Sequence, residues 1–377
     1  MNLIILILAQ ASLYEGSYPD FENFWDFYAD NRISSQACGR GYTGVANTGD
    51  ISSTFINPAS LSLKNKKQIY FEYVYKDDLE WIADIKYKNL DPNFSLGFGL
   101  PVNDYFQTGI VYRIENSRKT DYGEIQGTVV IDTAEGGYTE AGTAELYKNT
   151  KFSSFSVPLA FNFINILTIG IDLSYTNFYS KFYSETEDSI MEAVFNDYTA
   201  EFNKIRPKIG VILFPIKNLS MGLTFLPEVK ENATMELTDT TITYAEPNIF
   251  PLEIGIGISY QLSTIPLTLS LDYNYSKNSA EEGLVNRNDI HFGVSYDIHN
   301  NFILRGGFFT QGDYRTQSSQ SYLESYGLGN FDQIFTTFGI SYKISSLTIN
   351  LSLMDSHLLS TGSVEQTYFN TGISYGF

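Results

Sequence analysis

Three histidines, His291, His299 and His357, are the residues suited to acid–base or metal chemistry near neutral pH. None sits in a serine–histidine–acid arrangement, no glycine-rich phosphate loop is present, and no group has metal-ligand spacing. Neither an enzyme nor a metal nor an organic cofactor is expected. The residue types suit a different chemistry, the recognition of apolar or acidic small molecules. Phe21, Phe24, Trp25 and Tyr28 share helical spacing. So do Ile190, Met191, Val194, Phe195 and Tyr198, within a stretch read as a loop helix over 183–202. Each set can line a hydrophobic pocket or groove, or pack on a neighbouring wall. A ligand carboxylate needs a buried cation. Arg40, Arg113, Lys208 and Arg305 are available, each with an alternative as an ion-pair partner of Asp172, Glu253, Asp272 or Asp297. Asp121, Glu124, Asp132, Glu135, Glu185, Glu187, Asp188 and Glu192 match no calcium-loop spacing and read as a solvated acidic surface.

The elements that must position these residues alternate with period two. Leu167, Ile169, Ile171, Leu173 and Tyr175 are interleaved with Thr168, Gly170, Asp172, Ser174 and Thr176. Leu267, Leu269, Leu271, Tyr273 and Tyr275 are interleaved with Thr268, Ser270, Asp272, Asn274 and Ser276. Each is a strand with one apolar face and one polar face. The pattern recurs from residue 67 to the end, and gives fourteen strands: 67–76, 80–101, 105–118, 150–163, 166–180, 202–214, 217–229, 247–262, 265–277, 288–299, 302–314, 331–343, 347–357 and 366–377. A barrel of that size has a lumen too wide for single side chains to fill. The apolar face therefore points outward, into lipid. The expected fold class is all-β, a 14-stranded antiparallel transmembrane β-barrel.

Composition agrees. Of 377 residues, 15% are aromatic and only 18% charged, and no apolar run is long enough for a membrane helix. The net charge of −19 argues against nucleic acid and against anionic lipid of the cytoplasmic leaflet. Cys38 is the sole cysteine, so no intrachain disulfide exists. Leu3 to Ala9 followed by small residues reads as a signal peptide over 1–12. Residues 13–66 precede the first strand and carry apolar residues among turns.

Turn lengths separate two ends. After even-numbered strands the connections are short, as at Val102-Asn103-Asp104 and Asn300-Asn301. After odd-numbered strands they are long, as at 119–149 and 181–201. Short periplasmic turns opposite long external loops are the outer-membrane pattern. The first hairpin, placed at Asp77–Leu79, is the exception. In the second strand the apolar parity changes between Tyr87 and Phe94, across Asp91-Pro92. One extra residue there makes a bulge, and proline cannot donate to a ladder. That bulge can serve as a lateral opening or simply as a source of curvature. The closing strand 366–377 is expected to pair with 67–76. Its Phe369, Ile373, Tyr375 and Phe377 resemble the C-terminal insertion signal of bacterial outer-membrane barrels. Ile373, Tyr375 and Phe377 are the expected assembly signal, which makes the barrel-assembly machinery and outer-membrane lipid the expected partners of a monomer.

Ahead of the first strand, Gly39, Gly41 and Gly44, then Asp50, then Asn57, Pro58 and Ala59, resemble the N-terminal plug of FadL-type transporters. Ser60 stands where members of that family commonly carry glycine. The resemblance implies a plug (13–66) inside a fourteen-stranded barrel (67–377), a kinked wall strand, and a bacterial outer-membrane channel for hydrophobic small molecules such as long-chain fatty acids or hydrocarbons. PorV-like members, which bind secreted surface proteins, share these features, and a non-transporting surface scaffold is a third reading.

Overall fold

The structure, a computed structural model, describes residues 34–61, 66–76, 79–81, 85–89, 93–131, 138–163, 166–185, 198–229, 233–237, 240–244, 251–277, 285–299, 301–313, 332–359 and 366–377. The first strands are β1 (Gln68–Lys76), β2 (Leu79–Trp81), β3 (Ile85–Asn89), β4 (Asn93–Pro101), β5 (Phe106–Ile131), β6 (Tyr138–Phe163), β7 (Leu167–Glu185), β8 (Tyr198–Ile216) and β9 (Leu219–Leu226). They are followed by β10 (Ala233–Leu237), β11 (Thr240–Tyr244), β12 (Leu252–Gln261), β13 (Leu267–Lys277), β14 (Arg287–His299), β15 (Phe302–Gln311), β16 (Gln333–Ile344), β17 (Leu347–Asp355) and β18 (Thr367–Gly376).

All pairings are antiparallel. β1 pairs β18 from Gln68↔Gly376 to Lys76↔Tyr368, so the sheet closes and leaves no free edge there. The wall has fourteen staves, as the alternation predicts. β1 with β2 forms the first and β3 with β4 the second. β10 and β11 form a hairpin that pairs with the outer end of β8, while β9 pairs directly with β12.

Side-chain burial fixes which face is which. Phe71, Leu173, Leu271 and Ile373 are 42–48% exposed, whereas the intervening Glu72, Asp172, Asp272 and Asn370 are 1–4% exposed. An apolar outer surface around a polar interior inverts the soluble arrangement and requires a hydrocarbon surround, so the chain is a transmembrane barrel. The outward residues include Phe369, Ile373, Tyr375 and Phe377.

Several expectations about boundaries need correction. β2 pairs with β3 at Trp81↔Ile85, so the first hairpin is not at Asp77–Leu79 but beyond Trp81. The stretch 119–149 is mostly strand, because β5 and β6 each run 26 residues and stay paired out to Ile131↔Tyr138. Tyr183 and Tyr198 lie on strands and not in a loop helix, since β7 runs to Glu185 and β8 starts at Tyr198. Polar strands that leave the membrane lose the apolar alternation, so their outer halves look like loop in sequence. Ile190, Val194 and Phe195, and likewise Phe21, Phe24, Trp25 and Tyr28, lie outside the described residues.

Asp91 and Pro92, where the bulge is expected, lie outside the described residues, but the registers that flank them can be compared. From Val74↔Asn93 to Leu79↔Tyr87 the first stave advances five residues and the second six. From Phe94↔Ile114 to Asn89↔Arg118 the second stave advances five residues and β5 only four. The second stave therefore carries one extra residue relative to both neighbours. Among the described residues its ladder with the first stave stops at Val74 and resumes at Leu79.

Candidate ligand cavity and the segment that closes it

Residues 34–61 fold inside the barrel as three short turns: a helical turn Ser35–Cys38 and 3-10 turns Ile51–Phe55 and Pro58–Ser60. Each begins on a polar side chain that caps it. Ser34 accepts from Ala37 N, Asp50 from Ser52 N, and Asn57 from Ala59 N. Turns this short hold no shape by propensity alone, so the wall must hold them.

The wall does so on several sides. Glu72 of β1 accepts from Ser35 N at 3.0 Å and Ser35 Oγ at 2.8 Å. Asp272 of β13 accepts from Gly44 N at 2.6 Å and Val45 N at 2.9 Å. Thr337 of β16 accepts from Gly41 N at 2.8 Å, and His291 Nδ1 of β14 donates to Gly41 O at 3.0 Å. Lys208 Nζ of β8 donates to Phe55 O at 2.7 Å.

The motif residues find roles here. Gly41 has φ +67°, and a Cβ there would meet Phe292 O at 2.3 Å, so both backbone angle and space require glycine. A Cβ on Gly39 would meet the Gly339 backbone at 2.8 Å, and one on Gly44 the Ile56 side chain at 2.5 Å. Asp50 accepts from Ser52 Oγ at 2.6 Å and Gln36 Nε2 at 2.9 Å, which ties the second turn to the first. Asn57 Nδ2 donates to Val45 O at 2.6 Å. Pro58 and Ala59 press on the wall where glycine leaves room: a methyl on Gly170 of β7 would lie 2.2 Å from Ala59 N. Ser60, in place of the family's usual glycine, is fully buried and its Oγ donates to Ser53 Oγ at 2.7 Å.

The closing strand leaves room too, since Ser35 Oγ sits 2.3 Å from where a Gly372 Cβ would be. The seam between β1 and β18 is thus one contact of several, and the segment reaches β7, β8, β13, β14 and β16 as well.

Two contrasting surfaces flank the segment. On the β14–β1 side the lumen carries an apolar layer. His291 stacks on Phe309 at 5.2 Å between ring centroids, Phe309 stacks on Phe335 at 4.8 Å, and Tyr368 meets Phe335 edge-on at 6.3 Å. Val74 and Met354 complete it, and Ala37, Cys38 and Tyr42 of the segment cover it. Burial pushes the Cys38 thiol up to about 12, well above the usual thiol range.

On the β5–β13 side lies a cavity of about 120 Å³ whose lining combines Phe55, Leu226 and Ile254 with Arg113, Lys208 and Asp172. Of the expected lumen ion pairs, Asp172 and Lys208 do sit opposite each other in register. Other expected partners are engaged elsewhere: Asp272 holds the segment's backbone, and Arg305 donates to Ser341. Arg113 and Lys208 instead share the Phe55 ring, with Arg113 Cζ 4.8 Å and Lys208 Nζ 5.2 Å from its centroid. Such contacts are worth about 0.5–2 kcal/mol each. Phe55 has no special signal in the sequence. Its proximity to Asn57-Pro58-Ala59 is the one clue.

By sequence the chain matches no protein-family model and no curated protein. By structure it is similar to the Ralstonia pickettii toluene transporter TbuX, at 15% identity over 93% of this chain and 99% of that one, with a TM-score of 0.60. It is also similar to a Pseudomonas aeruginosa FadL homologue, at 11% identity over 91% and 98%, TM-score 0.58. The Pseudomonas putida toluene transporter TodX gives 12% identity over 92% and 97%, TM-score 0.55. The class is that of fourteen-stranded membrane barrels. Within it, the fold is the FadL-type barrel.

Proposed function

We propose that the protein is a bacterial outer-membrane channel for hydrophobic small molecules, in which residues 34–61 act as the plug. The observation that carries this reading is the aromatic layer from His291 to Tyr368. These are apolar side chains on a lumen face, covered by the turn Ser35–Cys38 and by Tyr42 and not by the wall itself. If the plug shifts, the layer becomes an apolar track toward β1, whose ladder to the second stave, among the described residues, stops at Val74 and resumes at Leu79. A ligand released at that interruption enters the bilayer without crossing water. The toluene-transporter and FadL-homologue folds support the same reading. Mass spectrometry of the protein purified in mild detergent checks it. Retained fatty acid or hydrocarbon is expected, and a protein that neither retains nor takes up such compounds counts against a channel.

One observation favours a second reading, the PorV-like docking of secreted proteins. A membrane strand needs about 9–11 residues, whereas β5 and β6 have 26 each. The surplus, with the β10–β11 hairpin, builds a sheet beyond the bilayer that can receive a partner.

A further inference from the structure

The outward face of the wall changes character beyond its apolar belt. On β6 the outward series Leu159, Val157 and Phe155 gives way to Ser153, Lys151 and Asn149. On β7 the series Ile171, Leu173 and Tyr175 gives way to Asn177, Tyr179 and Lys181. Register sets Lys151 opposite Tyr179, and Asn149 between Lys119 of β5 and Lys181. Lysines from three adjacent strands thus share one outward patch, on a chain whose net charge is −19. Lys151 stands two outward positions past Phe155, about 13 Å along a strand at roughly 3.3 Å per residue. A lysine side chain there can reach back to the edge of the belt.

The next outward pair seats two of these cations. Tyr147 and Tyr183 have ring centroids 5.3 Å apart. Lys119 Nζ lies 3.5 Å from the Tyr147 centroid and 5.7 Å from that of Tyr183, and Lys181 Nζ lies 5.5 Å from Tyr183. A ring face anchors an ammonium and leaves N–H donors on its far side. The carboxylates facing the patch are Asp121, Glu145, Glu185 and Glu201. Register puts Asp121 opposite Tyr147 and Glu145 opposite Glu185, farther from the belt than the lysines, and Tyr147 donates to Glu145. Glu201 of β8 stands opposite Tyr179, diagonal to Lys181. Cations therefore lie nearest the hydrocarbon, and most of the carboxylates lie beyond them.

From this layering we propose that Lys119, Lys151 and Lys181, with Tyr147 and Tyr183, form a docking patch for a phosphorylated glycolipid of the outer leaflet. Its acyl chains lie on Phe155, Leu173 and Tyr175. Phosphates at the junction of acyl chain and sugar meet the lysines, and sugar hydroxyls donate to Glu145 and Glu185. Charge-assisted bonds at the edge of a hydrocarbon layer are screened less than those in open water. The inference depends on an outer-membrane location and not on what passes through the lumen.

Native mass spectrometry of the full-length, detergent-solubilised protein tests it, with bisphosphorylated lipid A or the same lipid A freed of its phosphates as probe. Wild type is expected to bind the phosphorylated form roughly tenfold more tightly, about what one charge-assisted bond contributes. Replacing Lys119, Lys151 and Lys181 together by Gln should abolish that preference, and replacing them by Arg should keep it. Replacing Lys67, Lys217 and Lys343 by Gln, all exposed at the short-turn end, should also keep it. EDTA and excess inorganic phosphate should leave the preference unchanged. Equal binding of the two lipids by wild type overturns the proposal, whether or not any variant assembles. So does a preference that survives the triple Gln replacement. Loss of preference in EDTA overturns it in favour of a divalent ion held by the carboxylates. Displacement of the lipid by inorganic phosphate overturns it in favour of an ordinary anion site.

Discussion

Asp272 shows how much a single wall residue can carry. Its carboxylate receives the amides of Gly44 and Val45. Asp272→Ala strands two buried N–H groups at about 1–3 kcal/mol each. That loss falls on the plug and not on the wall, whose ladder is backbone. Cys38 labelling should therefore accelerate by roughly tenfold per 1.4 kcal/mol, while the barrel's heat-resistant mobility on a gel stays unchanged. The starting rate should be low from pH 7 to 9. A thiol whose pKa is raised to about 12 remains protonated across that range, and only the thiolate reacts. The sequence marked Asp272 as a lumen acid from its parity but assigned it to an ion pair. Parity tells which way a side chain points. It says nothing of what a distant segment brings to meet it, and Gly44 lies 228 residues away.

At the scale of elements, the second stave is where sequence and structure agree most closely. A parity change between Tyr87 and Phe94 predicted one extra residue, and the register with both neighbours shows one. Deleting Pro92 alone should bring the two registers into line and close the ladder. Under the lateral-release reading, uptake of labelled hydrocarbon then falls severalfold in cells that still assemble the barrel. Unchanged uptake would reduce the bulge to a curvature device. The membrane-spanning halves of the strands were legible because lipid and lumen impose opposite demands on alternate residues. Outside the bilayer that demand ends. The outer parts of β5 to β8 and the β10–β11 hairpin therefore carry no alternating signal and look like loop in sequence.

For the whole molecule, the barrel and the proposed plug divide the work. The wall is stabilised by a closed ladder with its apolar face in lipid. Residues 34–61 are held by a few hydrogen bonds from inward-facing side chains and by glycine-sized seats such as Gly170 and Gly372. This separation allows one part to move while the other stays intact, as the proposed channel requires. The fold was readable from period, turn length and the Gly39–Ala59 motif. The cavity was not, because its lining comes from strands distant in sequence and from Phe55, which no pattern distinguishes.

The most direct measurement locks the plug to the wall. Asn47→Cys with Ser270→Cys, in a Cys38→Ser background, places two thiols where Asn47 Nδ2 already donates to Ser270 Oγ at 3.2 Å. Uptake of a labelled fatty acid or hydrocarbon by bacterial cells carrying this variant is followed before and after oxidation. The account predicts that uptake drops to background when the disulfide forms and returns on reduction. Equal uptake in both states would contradict a channel closed by this segment.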